Sequence, residues 1–174
     1  MSFSIYDATV QGYIRTLTAI SGVMAKGREF YEANGLDVDT IPKEKLCGDM
    51  LPFSFQINSI RHHSIEAIEG VQSGIFTIPT SLEKEDYASL EALVARTINE
   101  LKALSTDEVN SLGGKDVTFV LGEMKIPFVA EGFLLSFSIP NFHFHATTTY
   151  DILRMKGVPI GKRDYLGALD VKAG

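Results

Sequence analysis

From Tyr6 to Ala33 the apolar residues Val10, Tyr13, Ile14, Leu17, Ile20, Val23 and Met24 recur at steps of three and four. Only an α-helix, at 3.6 residues per turn, lines such residues up as one stripe. A stripe that long must be covered by other elements. The rest of the 174-residue chain supplies them in the same period. Phe53, Ile57, Ile60, Ser64 and Ala67 mark the inner face of a second helix, with Asp49 as its cap, Pro52 in its first turn and Gly70 closing it. A third helix begins between Thr80 and Ser89, carries Tyr87, Leu90, Leu93, Val94, Ile98 and Leu101 inward, and ends near Leu104. Thr80 and Glu83 have capping-box spacing at its start. The last helix, about Ala130 to Met155, is apolar nearly all round, which predicts the most buried of the four. Pro140 inside it removes a hydrogen bond and predicts a kink or two helical pieces.

The connectors differ in period. Leu36 to Gly48, with Asp37, Asp39 and Pro42, reads as turns and one short helical turn, Gly35 having stopped the first helix. Asp37 and Asp39 do not make a calcium loop, since the other oxygen ligands and terminal glutamate are missing. Between Asp116 and Phe128, Val117, Phe119 and Leu121 alternate with Thr118 and Val120, and Gly122-Glu123 turns the chain into Met124-Lys125-Ile126. This predicts a β-hairpin before the last helix. Gly157 to Gly167 reads as a loop. The length suits one domain, 1–174, with a core large enough to need no staple.

Charge and cysteine content narrow the function classes. A formal charge of -6 opposes nonspecific nucleic-acid binding, which draws on clustered Lys and Arg. No apolar run approaches the roughly 18 to 20 residues of a membrane-spanning helix, and the N-terminus lacks the pattern of a secretory signal. Cys47, the one cysteine, allows no internal disulfide. These features predict a cytoplasmic protein without nucleic-acid or membrane partners. Gly161-Lys162-Arg163 lacks the upstream glycine of a phosphate-binding loop. The acidic stretch Glu83 to Asp86 reads as a solvated helix start, and Thr147-Thr148-Thr149 as helix surface and packing.

The four histidines carry what chemistry there is. At 100° per residue, His63 falls at the edge of its helix's apolar stripe and His62 on the far side. On the last helix Asn141, His145 and Thr148 share a side with Phe137 and Ile152, while His143 points away. An inward imidazole is costly unless its nitrogens are satisfied, so two on separate helices suggest a shared centre. Imidazole suits zinc, nickel and ferrous iron, and Asn141 lies four residues before His145, a converging spacing. The pair falls short of the three protein ligands of a catalytic zinc. The competing reading makes His63 and His145 core groups bonded to Asn141, a threonine, a backbone carbonyl or water.

Several segments together resemble a known group. They are Ser4-Ile5-Tyr6-Asp7-Ala8-Thr9-Val10, Asp49-Met50-Leu51-Pro52, Gln56 to His63, Pro140-Asn141-Phe142 with His145-Ala146-Thr147-Thr148, and the run from Tyr150 to Gly167. Across nearly the whole chain they resemble a domain-of-unknown-function branch of the DinB/YfiT-like superfamily. That resemblance implies an all-α, up-down four-helix bundle with a long connection, assembled as a homodimer. It also implies a divalent metal (zinc, nickel, iron or manganese) held by one histidine on the second helix and two spaced four apart on the last. His63 and His145 match two of these, and the other falls on Asn141 or Thr149. Related enzymes with three histidines use the metal to activate a low-molecular-weight thiol. Two functions follow as expectations. One is a metal-dependent enzyme, thiol-transferase-like or hydrolytic, with His63, His145 and Asn141 at the metal. The other is a non-enzymatic bundle, binding a small ligand or serving structurally, whose histidines form a hydrogen-bond network.

Overall fold

The computed structural model describes residues 4–78 and 86–172. Ser4 and Asp7 form a capping box that starts α1 (Ile5–Ala8), and a non-helical Thr9 separates it from α2 (Val10–Ala33). The predicted stripe of α2 is buried, apart from a half-buried Ile14. Gly35, at φ +65, ends the helix, and Leu36 N–H bonds back to the Tyr31 carbonyl at 2.9 Å. The connector forms a 3₁₀ segment, Val38–Lys43, started by the Asp37 side chain. Asp39 reaches across to cap another helix, its Oδ1 accepting from the Tyr87 amide at 2.9 Å.

The second predicted helix is two helices. α3 (Phe53–His62) begins after Pro52, and α4 (Ile65–Ser73) follows a break at His63–Ser64. Asp49 sits in a turn and caps nothing. Gly70 lies inside α4, and the left-handed cap is Gly74, at φ +80. Glycine at 70 answers to packing, because a Cβ there would stand 2.9 Å from Phe76 Cδ2.

Asp86 caps α5 (Tyr87–Ala103), while the Thr80–Glu83 spacing falls outside the described residues. A short α6 (Thr106–Asn110) is held by the Ser105–Glu108 capping box. The predicted hairpin is β2 (Asp116–Leu121) and β3 (Met124–Val129), antiparallel with Leu121 opposite Met124. Gly122 at φ +58 opens its two-residue turn. A third strand, β1 (Ile75–Thr77), pairs parallel with β2, so the sheet runs β1-β2-β3 and the fold is mostly helical rather than all-α. Three residues are too few to leave a period in the sequence.

The last helix runs from 130 to 155 without interruption of the chain's coiling, in three parts. α7 (Ala130–Phe133) passes into a π-helical turn (Leu134–Ser138) and then into α8 (Ile139–Met155). Proline at 140 has no N–H for the Ser136 carbonyl and its ring crowds that turn. The widened turn absorbs this, with Ile139 N–H bonding Leu134 O five residues back. This helix is not buried all round, since the apolar Leu135 is 53% exposed and Phe144 55%. The end of the chain also departs from a pure loop, forming α9 (Lys162–Leu166) against α2. Among the described residues no helix is long and apolar enough to cross a membrane.

The core joins α2, α3, α5 and α8, which pack on one another around Tyr13, Ile20, Phe53, Tyr87 and Phe142. Tyr87 donates to the Met24 carbonyl at 2.9 Å, directly over Gly27. A Cβ at Gly27 would lie 2.7 Å from that hydroxyl and 3.2 Å from Leu153 Cδ2. Gly27→Ala is therefore expected to destabilise the fold by about 1–3 kcal/mol, since the tyrosine is bonded in place. Gly22, exposed with open space around its Cβ position, is expected to gain about 0.5–1 kcal/mol as alanine. Chemical denaturation of the two variants measures both, and equal effects would contradict the assignment of Gly27 to close packing.

Candidate functional site

The break between α3 and α4 builds the site. Ser64 turns its hydroxyl onto the Ile60 and Arg61 carbonyls at 2.8 and 3.1 Å, competing with the helical amides, and its backbone leaves helical geometry at φ -119, ψ -91. The chain swivels at this point, and His62 and His63 are both buried, at 6% and 8% exposed. His62, the last residue of α3, is covered by the ring of Phe76 from β1. His145 is half-buried on α8, and His143 is exposed.

Three imidazoles thus cluster. The His62 and His63 ring centroids are 5.1 Å apart, and those of His63 and His145 are 5.8 Å apart with planes within 10°. Aromatic rings enclose them. Phe76 stacks on His62 at 4.3 Å, Phe137 meets His63 at 5.6 Å, and Phe55 meets His145 at 5.8 Å. The cluster is tied to the bundle through the His63 carbonyl, which accepts from Ser138 Oγ at 2.7 Å, and that hydroxyl also pairs with Tyr13 at 2.9 Å. The π turn before Pro140 is what sets Ser138 there.

Partners on the outer nitrogens assign the tautomers. His62 Nδ1 lies 2.8 Å from Glu66 Oε2. The His62 hydrogen bond, with Arg61 nearby, holds the Glu66 carboxyl below its ordinary range against the opposing effect of burial. An ionised carboxylate only accepts, so Nδ1 donates, and in the neutral ring Nε2 is left as an acceptor. Gln56, 2% exposed, spends its amide N–H on the Leu51 carbonyl at 2.8 Å, which turns Oε1 to His145 Nδ1 at 2.7 Å. His145 likewise donates at Nδ1 and presents Nε2 as an acceptor. Two buried nitrogens have no hydrogen-bond partner, His62 Nε2 and His63 Nδ1. Burial, then the neighbouring His62 and His145, pushes His63 down to about 3. Burial, then His62, pushes His145 down to about 4.

Of the residues singled out in the sequence, His63 and His145 do meet. Asn141 donates its amide N–H to the Phe137 carbonyl of its own helix at 2.7 Å. Thr149, the other position matching the family's later histidines, is buried and bonds the His145 carbonyl at 2.9 Å. Among the described residues no three or more His, Cys, Asp or Glu side chains form a group able to hold a metal ion. The donor set therefore does not fit the metal that the resemblance implies. Sequence periodicity missed His62, Glu66 and Gln56. Gln56 sits seven residues, two helical turns, before His63, and that spacing was the one available signal.

A mostly helical chain with a small sheet arranged in this way has a DinB-like helical fold. A solved structure of a DinB family member protein from Shewanella denitrificans superposes with a TM-score of 0.81, at 24% identity, over 97% of this chain and 95% of that one. The chain belongs to the DUF1993 family, described as a domain of unknown function, which matches residues 5–166. No curated protein matches it.

The buried imidazoles set a pH dependence. As pH falls below about 6.5 the unfolded chain takes up protons that folded His63 and His145 refuse until about 3 and 4. The unfolded state then binds more protons, so stability drops with falling pH and the decline extends toward pH 4. Unfolding free energy is expected to decrease by roughly 2–4 kcal/mol between pH 6.5 and 4.5, a window above most carboxylate titration. In His63→Phe about half of that decline should vanish. Denaturant titrations across the window measure it, and a flat wild-type profile would refute the neutral, buried state of these rings.

Proposed function

We propose that this protein binds a small molecule at the His62, His63 and His145 cluster and is not a three-histidine metalloenzyme. The observation that carries the reading is the pair of unpartnered nitrogens, His62 Nε2 and His63 Nδ1, each on a residue more than nine-tenths buried. Buried polar atoms in folded proteins are nearly always satisfied, and an orphan costs about 1–3 kcal/mol. Two of them in one aromatic-walled cluster mark a place where a ligand group or an ordered water completes the hydrogen bonding. The rest of the cluster is preorganised for that role, because Glu66 and Gln56 fix His62 and His145 from behind.

The metal-dependent reading, thiol-transferase-like or hydrolytic, is supported by the positions of His63 and His145 alone. A catalytic zinc takes three protein ligands. Among the described residues no three His, Cys, Asp or Glu side chains form such a group.

Untagged protein exposed to zinc, nickel, manganese or ferrous iron and then desalted is expected to retain far less than one equivalent of any of them. A chelator is expected to leave its melting temperature unchanged, whereas a metal held only by the folded state would add stability. Stoichiometric retention that disappears in His145→Ala would overturn the reading. His63→Phe keeps a ring of similar size and removes the orphan nitrogen, so at pH 7 it is expected to be at least as stable as the wild type. A loss above about 2 kcal/mol would mean that this nitrogen is already satisfied within the folded chain.

A further inference from the structure

Beside the cluster, α4 and β1 enclose an open groove of about 360 Å³, lined by His62, Glu66, Glu69, Ser73 and Phe76 among others. We infer that this groove takes the head of a protonated amine or amidine carrying an apolar group, a ligand class that rests on the small-molecule reading above.

The fixed polar groups here are acceptors. Glu66 and Glu69 are carboxylates, and His62 donates its Nδ1–H to Glu66, leaving Nε2 as an acceptor without a hydrogen-bond partner on a side chain that is 6% exposed. Ser73 has spent its proton as well, since its hydroxyl lies 3.1 Å from the carbonyls of Gly70 and Ile75. A wall of acceptors is complemented by a donor-rich ligand and rejects an anion.

The charges around the groove agree. Arg61 pairs with Glu66 and Glu100, and Arg96 stands 3.9 Å from Glu100, so both guanidinium groups face carboxylates. Among the described residues Glu69 has neither an ion pair nor a hydrogen bond. Its carboxyl is held above the ordinary range, by partial burial first and then by Glu66 and Glu100, despite Arg61. A bound cation relieves that excess of negative charge. The apolar body has a surface to lie on, the 57% exposed Ile75 and the ring of Phe76, which Gly70 allows to come close to α4.

Three one-ring probes separate the possibilities: benzamidine, benzyl alcohol and benzoate, titrated into the full chain carrying ¹⁵N-labelled histidine. Benzamidine is expected to bind saturably and to shift the His62 ring nitrogens, with benzoate giving no shift. Glu69→Gln, an exposed and nearly isosteric change, is expected to weaken benzamidine at least tenfold, the equivalent of about 1.4 kcal/mol. Equal binding of benzyl alcohol or benzoate, or benzamidine binding untouched by Glu69→Gln, would overturn the amine assignment while leaving a ligand site at the histidines. If none of the three moves an imidazole resonance, the amine assignment and the small-molecule reading fall together.

Discussion

The hydrogen bond from Ser138 to the His63 carbonyl is the contact on which the site depends. It spans 75 residues of sequence, is fully buried, and continues through Tyr13, so it ties α2, the break between α3 and α4, and the π turn into one unit. Each end of it is irregular. A carbonyl at a helix break has no helical amide to meet, and a serine in a widened turn is free to bond across the bundle rather than back along its own helix. Two local departures from ideal geometry thus satisfy one another, and the imidazoles are positioned as a consequence.

The order of cause runs from Pro140 inward. Proline cannot serve the carbonyl four residues before it, so the preceding turn widens, and the widened turn carries Phe137 against His63 and Ser138 against its carbonyl. On the facing helix Ser64 does the corresponding work by withdrawing two carbonyls from the ladder. Neither residue has any acid-base chemistry. They decide where the chemistry is placed.

Much of the architecture was legible because long helices advertise themselves. Val10 through Met24 on α2 and Tyr87 through Leu101 on α5 carry their stripes over many turns, and the hairpin declares its period of two with Gly122-Glu123 at the turn. What stayed hidden was shorter than a period or depended on a contact far away in sequence. β1 has three residues and is stabilised by pairing with β2, 43 positions on. The stretch from Phe53 to Ala67 keeps one apolar face across its break, so nothing in its spacing shows that the helix stops at His63 and restarts at Ile65. His63 is buried and His145 half-buried, and their rings meet. His62 was misassigned to the surface because the ring that covers it, Phe76, belongs to β1, a strand too short to leave a period in the sequence.

That last difference bears on how a fold passes from one chemistry to another. In this chain His63 and His145 bring one imidazole from each of two segments together, and a neighbouring imidazole, His62, lies beside them. Burial and the neighbouring imidazoles oppose protonation of His63 and His145, and a neutral ring that donates at one nitrogen, as His145 does to Gln56 Oε1, offers the other as an acceptor. The same arrangement that would support metal ligands, with Glu66 and Gln56 orienting the outer nitrogens, serves acceptor chemistry equally well when the third ligand is missing.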